Sequence, residues 1–350
     1  MYFPRLDGIR FVAIMMVIIL HFASSIGKHF STGFYGVNLF FVLSGFLITS
    51  ILISSKEKSI SKAYFTFVIR RALRIFPAYY LTIFILILIG SEFIVNDLSY
   101  LLTYTYNYFV NDAESLPAHA HFWSLAVEEQ FYIFFPIFVI LLRSNIRYLT
   151  FFFILIISIA YAQVFFDFLN IKKYDYVGLL TNMGPLALGA LGAVVNKESR
   201  LIKLIFGNII IEISAIGFLI LVLYTKNFKL MILFSSIINL FLVLKASKFE
   251  YNLNFINIFL QNKIVTYVGK VSYGIYLYHG IVGKFVSKYI FQPIWDWIPF
   301  KQFPAISFLY DFDWIFRIIL ITICSTLLAS LSFYYFEIYF LRLKDKYFKN

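Results

Sequence analysis

DGIRFVAIMMVIILHF, residues Asp7 to Phe22, decides how this chain folds. Between Arg10 and His21 lie ten apolar residues without interruption. Comparable runs recur along the whole chain in blocks of roughly 17–25 residues, the length that crosses the hydrocarbon core of a bilayer. The composition agrees: 61% of the 350 residues are hydrophobic and only 14% are charged. A soluble domain of this length carries about 25% charged residues. The chain is read as an all-α, polytopic membrane protein.

Ten spans are expected, at 9–26, 35–54, 75–91, 122–142, 148–166, 177–195, 205–224, 230–245, 264–287 and 314–341. Lysine and arginine set the threading, because they concentrate in cytoplasmic loops. With both termini cytoplasmic, 21 of the 30 basic residues fall inside, including the cluster from Lys56 to Arg74. The outer loop after the third span carries Glu92, Asp97, Asp112 and Glu114 and no basic residue. Topology therefore accounts for the net charge of +12 without any nucleic acid partner. Residues 98–110, apolar but short and rich in tyrosine, are expected to form an interfacial or re-entrant piece. The first apolar run is too long for a signal peptide, and no small-x-small cleavage site follows it. Residues 1–350 are read as one transmembrane domain without a fused soluble domain. A single cysteine, Cys324, excludes an internal disulfide and a cysteine-based metal site, and no Walker-type phosphate loop occurs.

The polar residues within this apolar chain are the informative ones. On a helix the eleven steps from Arg10 to His21 turn about 20° past three full turns and rise ~16 Å. Both side chains then share one stripe, with Arg10 at the cytoplasmic rim and His21 well into the membrane. A topogenic arginine and a structural histidine would explain the pair. Ionisable groups are costly in lipid, however, and point to function there. In GVNLFFVLSGFLIT (Gly36 to Thr49), the glycines are expected to serve close helix packing. In RRALRIFPAYY, Arg71 and Arg74 stand three apart on one helix face. Forked guanidiniums so placed suit phosphate oxygens, although positive-inside charge alone would also place them there. In HAHFWSLAVEEQFYIFFP, Ser124 and Glu128 share a face at the entry to an apolar run, and Glu129 is expected to meet water or headgroups. His279 in VSYGIYLYHG and Glu337 in SFYYFEIYF, each taken alone, suggest structural hydrogen bonds.

Taken in order, RLDGIR with His21 beyond it, GVNLFFVLSGFLIT, RRALRIFP, FWSLAVEEQFY and VSYGIYLYHG resemble the acyltransferase 3 family. Its members are integral membrane enzymes that acylate, mostly O-acetylate, extracytoplasmic glycans of bacteria. The resemblance spans nearly the whole chain. It implies a multi-pass protein of the bacterial cytoplasmic membrane that takes acetyl-CoA, or a related acyl-CoA, from the cytoplasm. The implied acceptor is a hydroxyl of a glycan such as O-antigen, capsule or exopolysaccharide. The other partners are membrane lipids, with a homo-oligomer or a periplasmic partner left open, and no metal is implied. Arg10, His21, Arg71, Arg74 and Glu128 fall on motif positions tied to donor binding or acyl transfer. Asp7 and Ser44 fall on motif positions of less defined role. Many members read Glu-x-Pro in the last helix, whereas Glu337 here is followed by Ile338 and Tyr339.

A CoA thioester has an anionic head and a long thin arm. The arginines would hold the phosphates while the arm runs up the stripe to His21. A neutral imidazole there can take the proton of a sugar hydroxyl. Glu128, entering from the opposite side, is expected to orient the imidazole or the acceptor. On the outer face, Asp97, Asp112 and Glu114 together with Tyr104, Tyr106, Tyr108, Trp295 and Trp297 form a candidate glycan surface or, equally, an aromatic belt. A proton-coupled transporter or flippase using His21, Glu128 and His279 is the alternative of a different class. It would show repeated halves, which the sequence lacks.

Overall fold

A computed structural model describes residues 3–23, 27, 30–57, 59–89, 92–113, 119–167, 175–195, 198–225, 227–300 and 307–348. Among these residues the chain is helical and contains no strand. In chain order the helices are α1 (Pro4–Phe22), α2 (Thr32–Ser54), α3 (Ile60–Leu88), α4 (Glu92–Leu102), α5 (Tyr106–Asp112) and α6 (Phe122–Leu142). They continue with α7 (Ile146–Phe166), α8 (Leu179–Val194), α9 (Arg200–Gly207), α10 (Ile209–Leu223), α11 (Phe228–Lys248) and α12 (Asn254–Gln261). The remainder are α13 (Lys263–Lys270), α14 (Ser272–Phe285), α15 (Gln292–Trp297), α16 (Asp313–Ser332) and α17 (Ile338–Tyr347).

Six of the described helical stretches are long and apolar enough to cross a bilayer, and the bent pair α9–α10 would make a seventh. This is a multi-pass membrane protein. The expected ten spans do not all appear as continuous helices. Span 75–91 is the second half of α3, which starts at Ile60 and runs 29 residues. Span 205–224 is bent by 62° between α9 and α10. There Asn208 leaves the helical conformation and its side chain accepts from the Ile210 amide, an N-cap that starts a new helix. Span 264–287 is interrupted at Val271, between α13 and α14. The last span belongs to an unbroken 40-residue stretch from Phe308 to Tyr347. Residues 98–110 form no span: the left-handed turn at Tyr104 (φ 53°) divides them between α4 and α5.

Helix α2 packs against α1, α6, α8 and α11. Its closest neighbour is α8, because Gly45 and Gly189 face each other's backbones. A Cβ on Gly45 would stand 1.8 Å from the Leu186 carbonyl oxygen, and one on Gly189 would stand 2.0 Å from that of Val42. Only glycine allows this approach, which replaces the missing hydrophobic drive between helices in lipid with dense contact. Gly36 is likewise held against the Ala13 carbonyl of α1, so the packing role expected for Gly36 and Gly45 is what the structure shows. Around this centre, Phe84, Leu88, Phe134, Leu141, Phe151 and Leu221 point outward and exposed. An outer face of this kind suits hydrocarbon.

Candidate active site

A cavity of about 230 Å³ opens among α1, α2, α3, α6, α13 and α14. Arg10, Arg71, Arg74, Ser44 and Glu128, singled out from the sequence, all line it. Each arrives for a local reason. Arg10 stands one turn after Asp7 and is ion-paired to that buried carboxylate. Asp7 is fixed in turn by α13, where a Cβ on Gly269 would stand 1.8 Å from the Asp7 carbonyl oxygen. Asp7 thus positions an arginine rather than facing a ligand itself. Arg71 donates to the Tyr132 hydroxyl at 2.5 Å, and Tyr132 donates to Glu128 at 2.7 Å. Ser44 donates to the other Glu128 oxygen at 3.0 Å.

Arg74 and Lys270 make no ion pair among the described residues, and the Arg71 Nε is buried without a partner. This end of the cavity offers cationic groups to an anion. Glu129 also lines the wall, is buried, and keeps Oε1 without a partner. The expectation that it meets water or headgroups is corrected, because the cavity is wide enough to take both carboxylates of the pair. Glu337 accepts from Ser332 at 2.9 Å, beside Arg74 and Lys270.

At the inner end of the cavity stand Ser124 and Tyr276, whose hydroxyls are 2.7 Å apart. The carbonyl of His121 is within reach of both, at 3.2 and 2.9 Å, so that one hydroxyl donates to the other and that other to the carbonyl. Beyond them lies a cluster of three imidazoles. The His279 ring centre is 4.9 Å from that of His21 and 4.8 Å from that of His121, with His21 and His121 at 6.4 Å. His21 belongs to the last turn of α1 and is exposed, whereas His121 and His279 are buried. It stands at the C-terminal end of its helix with its ring exposed. His21 Nδ1 is 2.8 Å from the Val17 carbonyl. A carbonyl oxygen only accepts, so Nδ1 carries the hydrogen and Nε2 keeps its lone pair. No group of three or more His, Cys, Asp or Glu among the described residues is placed to hold a metal ion.

Glu128 does not orient His21. Glu128 lies seven residues beyond His121, about 10 Å along the helix, and its bonds go to Ser44 and Tyr132. Nothing in its local sequence singles out His121, and only the fold brings positions 21, 121 and 279 together. Lys270 looks in the sequence like any other topogenic lysine, and Tyr132 stands out only by its place one turn after Glu128.

The expected acceptor face is reduced. Asp97 accepts from Tyr106 at 2.9 Å and both are buried. Tyr104 stacks on Tyr79 at 4.3 Å. Trp295 is buried among Phe291, Phe300 and Phe316, at 5.1, 4.8 and 5.3 Å between ring centres, so its faces are not available to a sugar. Tyr108, Asp112 and Trp297 are exposed, and Glu114 lies outside the described residues.

The bundle is that of a membrane protein with a cavity lined by Arg10, Arg71, Arg74 and Lys270 together with Glu128 and Glu129. Residues 3–335 match the acyltransferase domain family, and the chain belongs to it. It is similar to SACOL0978 of Staphylococcus aureus (strain COL), provisionally named an O-acetyltransferase, at 31% identity over 327 residues, which covers 82% of this chain and 52% of the relative. It is also similar to O-acetyltransferase OatA of Staphylococcus aureus (strain NCTC 8325 / PS 47), at 29% identity over 327 residues, covering 83% of this chain and 52% of the relative. The chain thus spans about half the length of the curated relatives it matches. No solved structure matches it.

Proposed function

We propose that this chain is an O-acyltransferase of the bacterial cytoplasmic membrane, acetyl being the first acyl group to test. It takes the acyl group from an acyl-CoA on the cytoplasmic side and transfers it to a hydroxyl of an extracytoplasmic glycan such as O-antigen, capsule or exopolysaccharide. One observation carries the reading: a cavity edged by Arg74 and Lys270, neither of them ion-paired among the described residues, reaches the Ser124–Tyr276 hydroxyl pair, and His121, to which that pair is bonded, stands in one cluster with His21. The names of the relatives support the same chemistry.

The donor's acyl arm is assigned to the cavity of about 230 Å³, and its anionic head to Arg74 and Lys270. Asp7 presents Arg10, and Glu128 with Tyr132 presents Arg71, to the same phosphates. Glu128 acts on the donor side. His21, through Nε2, takes the proton of the attacking hydroxyl. Trp297, the exposed tryptophan, is assigned to the acceptor.

The test is mass spectrometry of surface glycans from cells with the gene, without it, and with His21→Ala. Acyl groups on the glycan should disappear in the second and third. Losing one general base costs about 10²–10⁴ in rate. Near-normal acylation by a normally inserted His21→Ala protein would remove His21 from catalysis. Unchanged glycans in the deletion would remove the proposed activity itself.

A further inference from the structure

His279 stands outside the chemistry so far assigned, yet its surroundings are unusual. It is fully buried. Its Nδ1 lies 2.6 Å from the Tyr276 carbonyl, which, as for His21, places the hydrogen on Nδ1 and leaves a lone pair on Nε2. That Nε2 is buried with no hydrogen-bond partner, and so is Nε2 of His121. A buried acceptor without a donor is destabilising, and native structures keep few of them. A purely structural histidine at this site would be replaced at lower cost by an apolar residue. The ring centre of His279 is 4.9 Å from that of His21, and the two rings meet edge to face. Tyr276, one turn before it on the same helix, lines the donor cavity, and its ring centre is 5.6 Å from that of His279. His279 thus neighbours both the exposed base and a residue of the cavity wall.

We infer that His279 is the second station of a proton relay that connects the acceptor hydroxyl to the departing thiolate. This rests on the acyltransferase reading above. The acceptor O–H bond breaks as its oxygen attacks the thioester carbon, and the proton passes to His21 Nε2. The imidazolium hands a proton to the free Nε2 of His279, which returns it to the sulfur as the C–S bond breaks. The products are the ester and the free thiol, and both histidines end as they began. The proton leaves an alcohol oxygen that attack makes acidic and ends on the thiolate released by the thioester. Two imidazoles in sequence explain why the donor and the acceptor can be handled from opposite ends of the cluster.

The test uses the full chain with acetyl-CoA and glycan acceptor under single-turnover conditions. His279→Asn keeps a donor to the Tyr276 carbonyl but removes Nε2. The transfer rate should fall about 10²-fold, with acetyl-CoA affinity unchanged. In mixtures of light and heavy water, the parent rate should depend on deuterium content along a curve, the signature of two protons in flight, and His279→Asn should give a straight line. A straight line for the parent, an unchanged rate in the variant, or a rate loss with the parent's curvature preserved would each overturn the relay. So would a loss that follows weakened donor binding, the mark of a structural role. If His279→Asn fails to insert, His279→Gln is judged on the same two readouts. A parent that binds acetyl-CoA but transfers nothing in any solvent would instead overturn the activity on which the relay rests.

Discussion

Arg71 donates to the Tyr132 hydroxyl at 2.5 Å while its guanidinium carbon lies 4.1 Å from the centre of the same ring. One side chain therefore holds the arginine in two ways, by stacking and by a hydrogen bond, and relays it to Glu128. Tyr132→Phe separates the two. The ring and its cation–π contact stay, but Glu128 loses a donor and Arg71 an acceptor, at about 1–3 kcal/mol. Acyl-CoA affinity measured by calorimetry should fall about 5- to 10-fold, equivalent to ~1 kcal/mol. An unchanged affinity would mean that stacking alone positions Arg71.

The contact between α2 and α8 leaves no room for a methyl group. Gly45→Ala would drive a Cβ to 1.8 Å from the Leu186 carbonyl oxygen, a backbone atom that cannot swing away. Overpacking of this kind costs about 1–3 kcal/mol or more. Melting of the detergent-solubilised protein should drop by several degrees. Gly217 in α10 has nothing within 4 Å of the same added atom, so Gly217→Ala should leave melting unchanged or raise it slightly, since alanine is the better helix former. Equal behaviour of the two variants would contradict the close crossing.

A second anchor lies away from the cavity. Lys245 and Glu212 form an ion pair of 2.7 Å with both side chains buried. Glu212 also accepts from the Asn252 and Leu253 amides, at 2.9 and 3.2 Å, and Lys245 donates to the Phe206 carbonyl at 2.8 Å. Removing one partner of a buried pair costs about 3–5 kcal/mol. Lys245→Met should therefore lower the yield of folded protein sharply. Pairing it with Glu212→Leu would remove the stranded charge but also take the acceptor from the Asn252 and Leu253 amides. The double variant should recover only part of the loss, as read by melting and by expression. Full recovery would show that the pair is a charge match and not a clasp on the loop.

How far the sequence could be read depended on whether a feature was local. Apolar run length is local, so the membrane class and most helices were legible from it. Helix ends inside lipid are set by single residues. The cap at Asn208 and the break at Val271 interrupt runs that hydropathy reads as continuous. The arginine site was legible because Arg71 and Arg74 share a face within one turn, and Arg10 lies in a recognisable motif. Glu129 was misplaced because adjacent helix residues point about 100° apart, and a wide cavity accepts both. Nothing local marks His121 as the neighbour of His21 and His279. Contact between residues a hundred or more positions apart is a product of the packing, and no spacing rule contains it.

The two tryptophans of the outer segment should separate cleanly by role. Trp295 is buried against three phenylalanines, and truncating a packed aromatic costs about 3–5 kcal/mol. Trp295→Ala should lower the melting temperature and reduce every activity in proportion to the folded protein lost. Trp297, two residues on, is 84% exposed, so its removal should leave stability untouched. If its free face covers the apolar side of a sugar ring, Trp297→Ala should raise the acceptor concentration needed for half-maximal transfer several-fold. Acetyl-CoA binding and the hydrolysis of donor without acceptor should be unaffected. Kinetics on a soluble fragment of the glycan give both constants from one titration. If the acceptor dependence is unmoved in Trp297→Ala, the tryptophan belongs to the interfacial belt that anchors the helix ends in the bilayer, and the glycan must be held elsewhere around the histidine opening.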